Sequence, residues 1–379
     1  MKLTVLKETA DGERRIALAP ESVKKLTASG YAVTIEQGAG ERAFFTDEAF
    51  TAAGATVAPD AASALAGAGI VLRLGAPTEI EAAALSRGQV LIGSLMPTRH
   101  PRLMRALAQH GITAISTDAI PRTTKAQSMD TLSSMANIAG YRGALIAAMA
   151  LPTYCPMFMT AAGTIFPAKF FVIGAGVAGL QAIATARRLG SQVFATDVRP
   201  EVKEQIESVG AKYVGIELAQ SAAAGGGYAA ALSAEDTARQ QALLAEQCSK
   251  SDAVITTALI GGITAPRLIS AEMVRSMKPG SVIVDLGAEG GGNCELSRPG
   301  ETITAHGVTI AAPLNLPSTM PADASRLWSR NMTNLLLAYS KGSGFVLDLK
   351  DEILSAATIT HEGEVRHART KEALAAAST

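Results

Sequence analysis

The sequence predicts an α/β protein made of two Rossmann-like, doubly wound parallel-sheet domains separated by a cleft. Three observations predict it. From residue 1 to about 130, short apolar runs alternate with helical patterns, which gives a parallel sheet covered on both faces. A second alternation begins at Phe170 and opens on a Gly-x-Gly-x-x-Gly turn. The 379 residues leave room for two or three domains, and 48% hydrophobic content supplies their cores.

In order, the first half reads as strand Lys2–Lys7, helix Pro20–Ser29, strand Ala32–Glu36, helix Thr46–Ala53 and strand Ala55–Ala58. Helix Ala61–Ala68, strand Ile70–Leu74, helix Glu79–Ser86, strand Val90–Leu95, helix Pro101–Gln109 and strand Thr113–Ser116 follow. This half lacks a glycine fingerprint of its own. A linking helix is expected over 137–150. Later strands are expected at Lys212–Gly215, Ala253–Thr256, Ser281–Asp285 and Val308–Ala311, before a return helix Asp323–Ala338. Short tail strands are read at Phe345–Leu349, Thr358–Thr360 and Glu364–Arg366. The first domain is thus expected to be discontinuous (1–136 plus 323–379) around a second domain, 137–322.

The organising stretch is Phe170–Asp197. Apolar residues 170–173 make a buried strand, Val177–Leu189 a helix, and Val193–Ala195 a second strand that leads to Asp197. Gly174 permits the tight turn, Gly176 the approach of a pyrophosphate, and Gly179 close helix–sheet packing. The helix N-terminus offers N–H groups and a positive dipole end to phosphates. Asp197 accepts the hydroxyls of an adenosine ribose and repels a 2′-phosphate, which favours NAD(H) over NADP(H). The cofactor-binding set is Gly174, Ala175, Gly176, Val177, Gly179, Asp197, Val198 and Arg199, completed by Ala258 and Leu259 and joined by Gln127.

Lys+Arg and Asp+Glu are both 34, so the net charge is zero. That balance gives no electrostatic case for nucleic acid or an anionic membrane surface. Cys155, Cys248 and Cys294 are far apart, without a Cys-x-x-Cys, so no zinc site or disulfide framework is expected and a reducing location is the default. No ligand spacing marks a metal among the histidines. Lys2, Lys7, Glu8 and Asp11 interrupt any signal peptide. The uncharged segment Gly143–Ala168 is broken by Pro152, Pro156, Gly163 and Pro167, and is read as a buried helix followed by a loop.

Two further stretches carry chemistry. Between Ile216 and Glu235 an Ala/Gly/Ser-rich insertion holds Gly225-Gly226-Gly227-Tyr228 and is expected to be a mobile loop. Pro121–Ser134 offers Arg122, Gln127, Asp130 and Ser133 within a dozen residues, at the expected mouth of the cleft. Arg122 and Asp130 are a possible pair, and Gln127 can bond a ribose or carboxamide.

This loop, the fingerprint Val172–Ala182 and Gly292-Asn293-Cys294 together resemble the NAD(H)-binding component (alpha subunit) of proton-translocating nicotinamide nucleotide transhydrogenase, a relative of alanine dehydrogenase. The resemblance implies that the Arg122–Ser133 loop orients the dihydronicotinamide. Arg122, Gln127, Asp130, Ser133 and Tyr228 would then be the catalytic set, with Tyr228 closing over the nucleotide. It implies direct hydride transfer from NADH to NADP⁺ held on a separate NADP(H)-binding component. A membrane-spanning proton-channel component would supply the coupling, with the chain on the cytoplasmic face of the inner membrane. A homodimer is expected, with tail strands pairing across a two-fold axis.

An alanine dehydrogenase is the alternative. Its substrate-binding Lys and His correspond here to Arg73 and Ser94, and its catalytic Asp to Glu289; Arg15 matches in both branches. Ser94 cannot serve as a cationic acid. A non-catalytic NAD-binding sensor has no need for the Gln127/Asp130 loop. Trp328 is assigned to packing, while Asn315–Ser318, at the sheet's carboxyl edge, either touches the cofactor or only turns the chain.

Overall fold

A computed structural model describes residues 1–216, 223–224, 228–229, 233–259, 264–342 and 344–376, with backbone only at 223–224 and 228–229. The chain forms two compact units, Met1–Met135 with Pro317–Thr379, and Ala136–Leu316. The strands are β1 (Lys2–Val5), β2 (Ala32–Glu36), β3 (Thr56–Ala58), β4 (Ile70–Gly75), β5 (Val90–Ser94), β6 (Thr113–Ser116), β7 (Phe158–Thr160) and β8 (Gly163–Ile165). There follow β9 (Lys169–Ile173), β10 (Gln192–Thr196), β11 (Lys212–Tyr213), β12 (Ala223–Ala224), β13 (Tyr228–Ala229), β14 (Ala253–Thr256) and β15 (Val282–Asp285). The last are β16 (Thr302–Ala305), β17 (Val308–Ala311), β18 (Ser340–Lys341), β19 (Gly344–Phe345), β20 (Thr358–His361) and β21 (Glu364–Val365).

The first unit holds an eight-stranded sheet ordered β21-β20-β6-β5-β4-β1-β2-β3. Strands β1 to β6 are parallel, and β20 and β21 add antiparallel pairings at one end. The second unit holds a seven-stranded sheet ordered β11-β10-β9-β14-β15-β17-β16, parallel except for β16. Each order reverses beside its first strand, between β1 and β4 and between β9 and β14, where doubly wound sheets bind ligands. Successive residues feed opposite faces. Phe170 and Val172 enter one apolar cluster and Phe171 and Ile173 another. Each fully buried phenylalanine contributes about 1.5–3 kcal/mol.

Several elements differ from expectation. The linking helix is Thr131–Ala150 rather than 137–150, because Asp130 caps it through Ser133 and starts it six residues earlier. The segment after Ala150 is not a plain loop: β7 and β8 form an antiparallel hairpin whose six residues are all exposed. Helices Lys203–Ser208, Ala234–Lys250 and Ala271–Ser276 and strand β16 are additions. Strand β20 is bonded within the chain on both sides, so it is unavailable for pairing across a two-fold axis. Residues 317–322, expected in the second domain, belong to the first unit. There Ser318 Oγ accepts from Arg14 N–H at 2.7 Å and donates to the Gly12 carbonyl at 2.8 Å. Most of the expected mobile stretch (217–222, 225–227 and 230–232) lies outside the described residues. Within it β12 and β13 pair antiparallel, with Ala224 opposite Tyr228. Trp328, 3% exposed, packs in the first unit's core. Among the described residues, no helix is long and apolar enough to cross a membrane.

Candidate functional site

In the second unit β9 ends at Ile173 and Gly174 turns the chain at φ +91°. A Cβ on Gly179 would lie 1.9 Å from the Gly174 carbonyl oxygen, so the helix rests on the turn it leaves. A Cβ on Gly176 would meet nothing within 4 Å. The helix Val177–Arg188 has no side-chain cap at Gly176, so no side chain competes with a phosphate for its first N–H groups. These features fit a dinucleotide pyrophosphate.

Asp197 follows β10 and its side chain is 6% exposed. Its Oδ2 accepts from Ala175 N–H and Arg199 Nη2, both at 2.8 Å. Its Oδ1 accepts from Arg199 N–H and Nε, both at 2.9 Å. Burial pushes the carboxyl up, but the Arg199 and Ala175 donors and the guanidinium charge outweigh it and hold Asp197 below the ordinary carboxylate range. Val198 and Arg199 are half-buried beside it.

The segment after β14 is braced rather than loose. Ala258 N–H donates to Asn293 Oδ1 at 3.1 Å, while Asn293 Nδ2 donates to the Ala258 and Pro266 carbonyls, both at 2.9 Å. Asn293 is fully buried. The clamp fixes Ala258 and, next to it, Leu259.

In the first unit Gln127 sits exposed on the 3₁₀ turn Thr124–Met129. Asp130 Oδ1 accepts from Ser133 N–H at 2.8 Å and Oδ2 from Ser133 Oγ at 2.6 Å. Asp130 and Ser133 thus form the N-terminal cap of Thr131–Ala150, which fixes where the loop ends. Arg122 is exposed at the loop's start. The rest of the anchorage comes from far away in sequence. Asn331 and Asn334, one helical turn apart, donate Nδ2–H to the Ser128 carbonyl at 2.9 and 3.0 Å. Lys125 Nζ reaches Asp351 at 2.6 Å, and Tyr339 OH donates to the same carboxylate at 2.6 Å. Sequence reasoning missed all four anchors. The only local signal is the Asn-x-x-Asn spacing, which puts both amides on one helix face.

The positions matched to a dehydrogenase are engaged internally. Arg73, 3% exposed, lies 3.3 Å from Glu8 and 2.9 Å from Glu81. Burial raises the Glu8 carboxyl against the pull of Arg73. Ser94 Oγ donates to Asp118 at 3.0 Å, and Arg15 is held by Glu13 at 2.6 Å. Glu289 accepts from Asn315 N–H at 2.9 Å, at a left-handed turn with φ 45°.

A glycine turn under a helix N-terminus, with a buried acid ending the next strand at a sheet's switch point, defines a dinucleotide-binding α/β protein. The chain belongs to the alanine dehydrogenase/PNT family: the family's N-terminal domain matches residues 4–139 and its C-terminal domain residues 143–368. It is 45% identical to the first part of the NAD(P) transhydrogenase subunit alpha of Rhodospirillum rubrum, over 97% of this chain and 98% of that one. It is 29% identical to an alanine dehydrogenase of Halomonas elongata over 98% of this chain and 96% of the relative. The crystal structure of transhydrogenase from Sinorhizobium meliloti superposes with a TM-score of 0.88 at 42% identity, covering 96% of this chain and 100% of that one.

Proposed function

We propose that this chain is the NAD(H)-binding component of a proton-translocating transhydrogenase. NADH lies with its pyrophosphate over Gly174–Gly179 and its adenosine ribose at Asp197. The Arg122–Ser133 loop, through Gln127, orients the dihydronicotinamide, and Tyr228 closes over the nucleotide. Hydride leaves C4 of that ring for C4 of NADP⁺ on an NADP(H)-binding partner, giving NAD⁺ and NADPH with no other group transferred. The protein's contribution is position and ring orientation. The membrane-spanning partner couples the transfer to proton flow and holds the chain at the cytoplasmic face of the inner membrane. The observation that carries this reading is the Arg122–Ser133 loop, anchored at Ser128 and Lys125 and presenting Gln127 outward. A sensor has no reactive ring to aim. The amino-acid dehydrogenase reading loses ground because Arg73 is already held by two carboxylates.

The test is NADH oxidation by thio-NADP⁺, first with this chain alone and then with a soluble NADP-binding transhydrogenase domain. Turnover is expected only in the mixture. A partner that works with a known NAD(H) component but not with this chain, despite bound NADH, overturns the proposal.

We also propose a homodimer formed through β7–β8. The hairpin is uncharged, and Met159 and Phe166 are 73% and 76% exposed. A self-complementary contact with a second copy across a two-fold axis buries it. Met159→Asp with Phe166→Asp should turn a dimer into a monomer in light scattering after size exclusion. An unchanged mass assigns the dimer contact elsewhere.

A further inference from the structure

Asp197 has no acceptor position left for a ribose. A carboxylate offers about four lone-pair sites, and all of them receive N–H donors at 2.8–2.9 Å. Two of those donors cannot leave. The Ala175 N–H is fixed within the glycine turn, and the Arg199 N–H by the chain that follows Asp197. The other two, Nε and Nη2 of Arg199, belong to one side chain that can rotate away. They form a bidentate pair with Asp197, and a ribose diol presents the same number of donors.

We infer that Arg199 is a specificity-determining residue that stands in for the adenosine ribose, so that nucleotide binding exchanges its guanidinium for the two ribose hydroxyls at Asp197. The inference rests on the assignment of the glycine turn and Asp197 to NAD(H). Two consequences follow. Every NADH that binds must first break a bidentate, charge-assisted pair, which weakens its affinity. A 2′-phosphorylated ribose, in turn, meets a neutralised acid with a guanidinium beside it, not a bare carboxylate, so its rejection is softened. Arg199 thereby narrows the NADH/NADPH discrimination that Asp197 alone would give. Sequence reasoning sees an arginine two residues past the acid. The pairing gives that arginine a direction of effect on each nucleotide.

The experiment titrates the full chain with NADH and with NADPH by nucleotide fluorescence, for wild type, Arg199→Met and Arg199→Lys. Arg199→Met keeps the bulk and removes the donors. NADH should bind more tightly and NADPH more weakly, with the ratio of dissociation constants widened ~10-fold or more, the weight of a lost hydrogen-bonded charge pair. Arg199→Lys, which cannot form the planar fork, should fall between. The ratio is read on one folded population, so a general loss of stability does not move it. A ratio that stays within about twofold of wild type, or narrows, overturns the inference while NADH binding by the wild type keeps the nucleotide assignment. Wild type that binds neither nucleotide overturns both.

Discussion

Gly179→Ala should destabilise the second unit and abolish nucleotide binding. The added Cβ would sit 1.9 Å from the Gly174 carbonyl oxygen, far inside contact distance, and the obstacle is backbone rather than a side chain that can swing away. The Gly174 carbonyl is itself held by Thr257 Oγ at 3.0 Å. The helix Val177–Arg188 must therefore lift off β9. Overpacking of this kind costs about 3 kcal/mol, which for a unit of this size is a fall of roughly 6–12 °C in Tm. Gly176→Ala is the contrast. Its Cβ meets nothing within 4 Å, and glycine-to-alanine changes at a helix cap cost only about 1 kcal/mol or less, so Tm should hold. NADH affinity should still fall, because the methyl occupies the space of the pyrophosphate. Scanning fluorimetry beside NADH titration separates the two. A Gly179→Ala protein that melts like wild type would show that the close packing is not needed.

The same contrast explains what is legible in the sequence. Gly174, Gly176, Gly179 and Asp197 act through strand, turn, helix and strand that follow one another directly, so spacing alone exposes their roles. The alternating strands β1 to β6 are readable for a similar reason, since each is a short apolar run between turn residues. The linking helix reads too short because Thr131, Ser133 and Ser134 read as the end of the preceding loop until Asp130 is seen capping the helix. Helix Ala234–Lys250 is hidden beside an Ala/Gly/Ser-rich stretch. The anchors at Asn331, Asn334 and Asp351 are about two hundred residues from the loop they hold, and only the tertiary fold reveals such contacts. Arg199 is visible as a neighbour of Asp197, but its two-pronged pairing is a matter of rotamer, which sequence does not carry.

Those distant anchors should control the chemistry more than the binding. Asn331→Ala with Asn334→Ala leaves the Ser128 carbonyl without its two amide donors. Each such hydrogen bond is worth about 0.5–1.5 kcal/mol net, too little together to unfold the first unit. What changes is the position of the turn that bears Gln127. A shift of about 1 Å at a positioning group costs on the order of 100-fold in rate. We predict that loss in kcat of the reconstituted hydride transfer, with the NADH dissociation constant within about threefold of wild type, because the glycine turn and the helix N-terminus that receive the pyrophosphate are untouched. Gln127→Ala should show the same split with an unchanged Tm, since its side chain is exposed. If the asparagines act through Gln127, the triple variant should be little slower than Gln127→Ala alone, as expected for groups that work as a unit. Rate losses that multiply would mean that the asparagines act by another route. A fall in NADH affinity matching the fall in kcat would assign the loop to holding the nucleotide rather than aiming its ring.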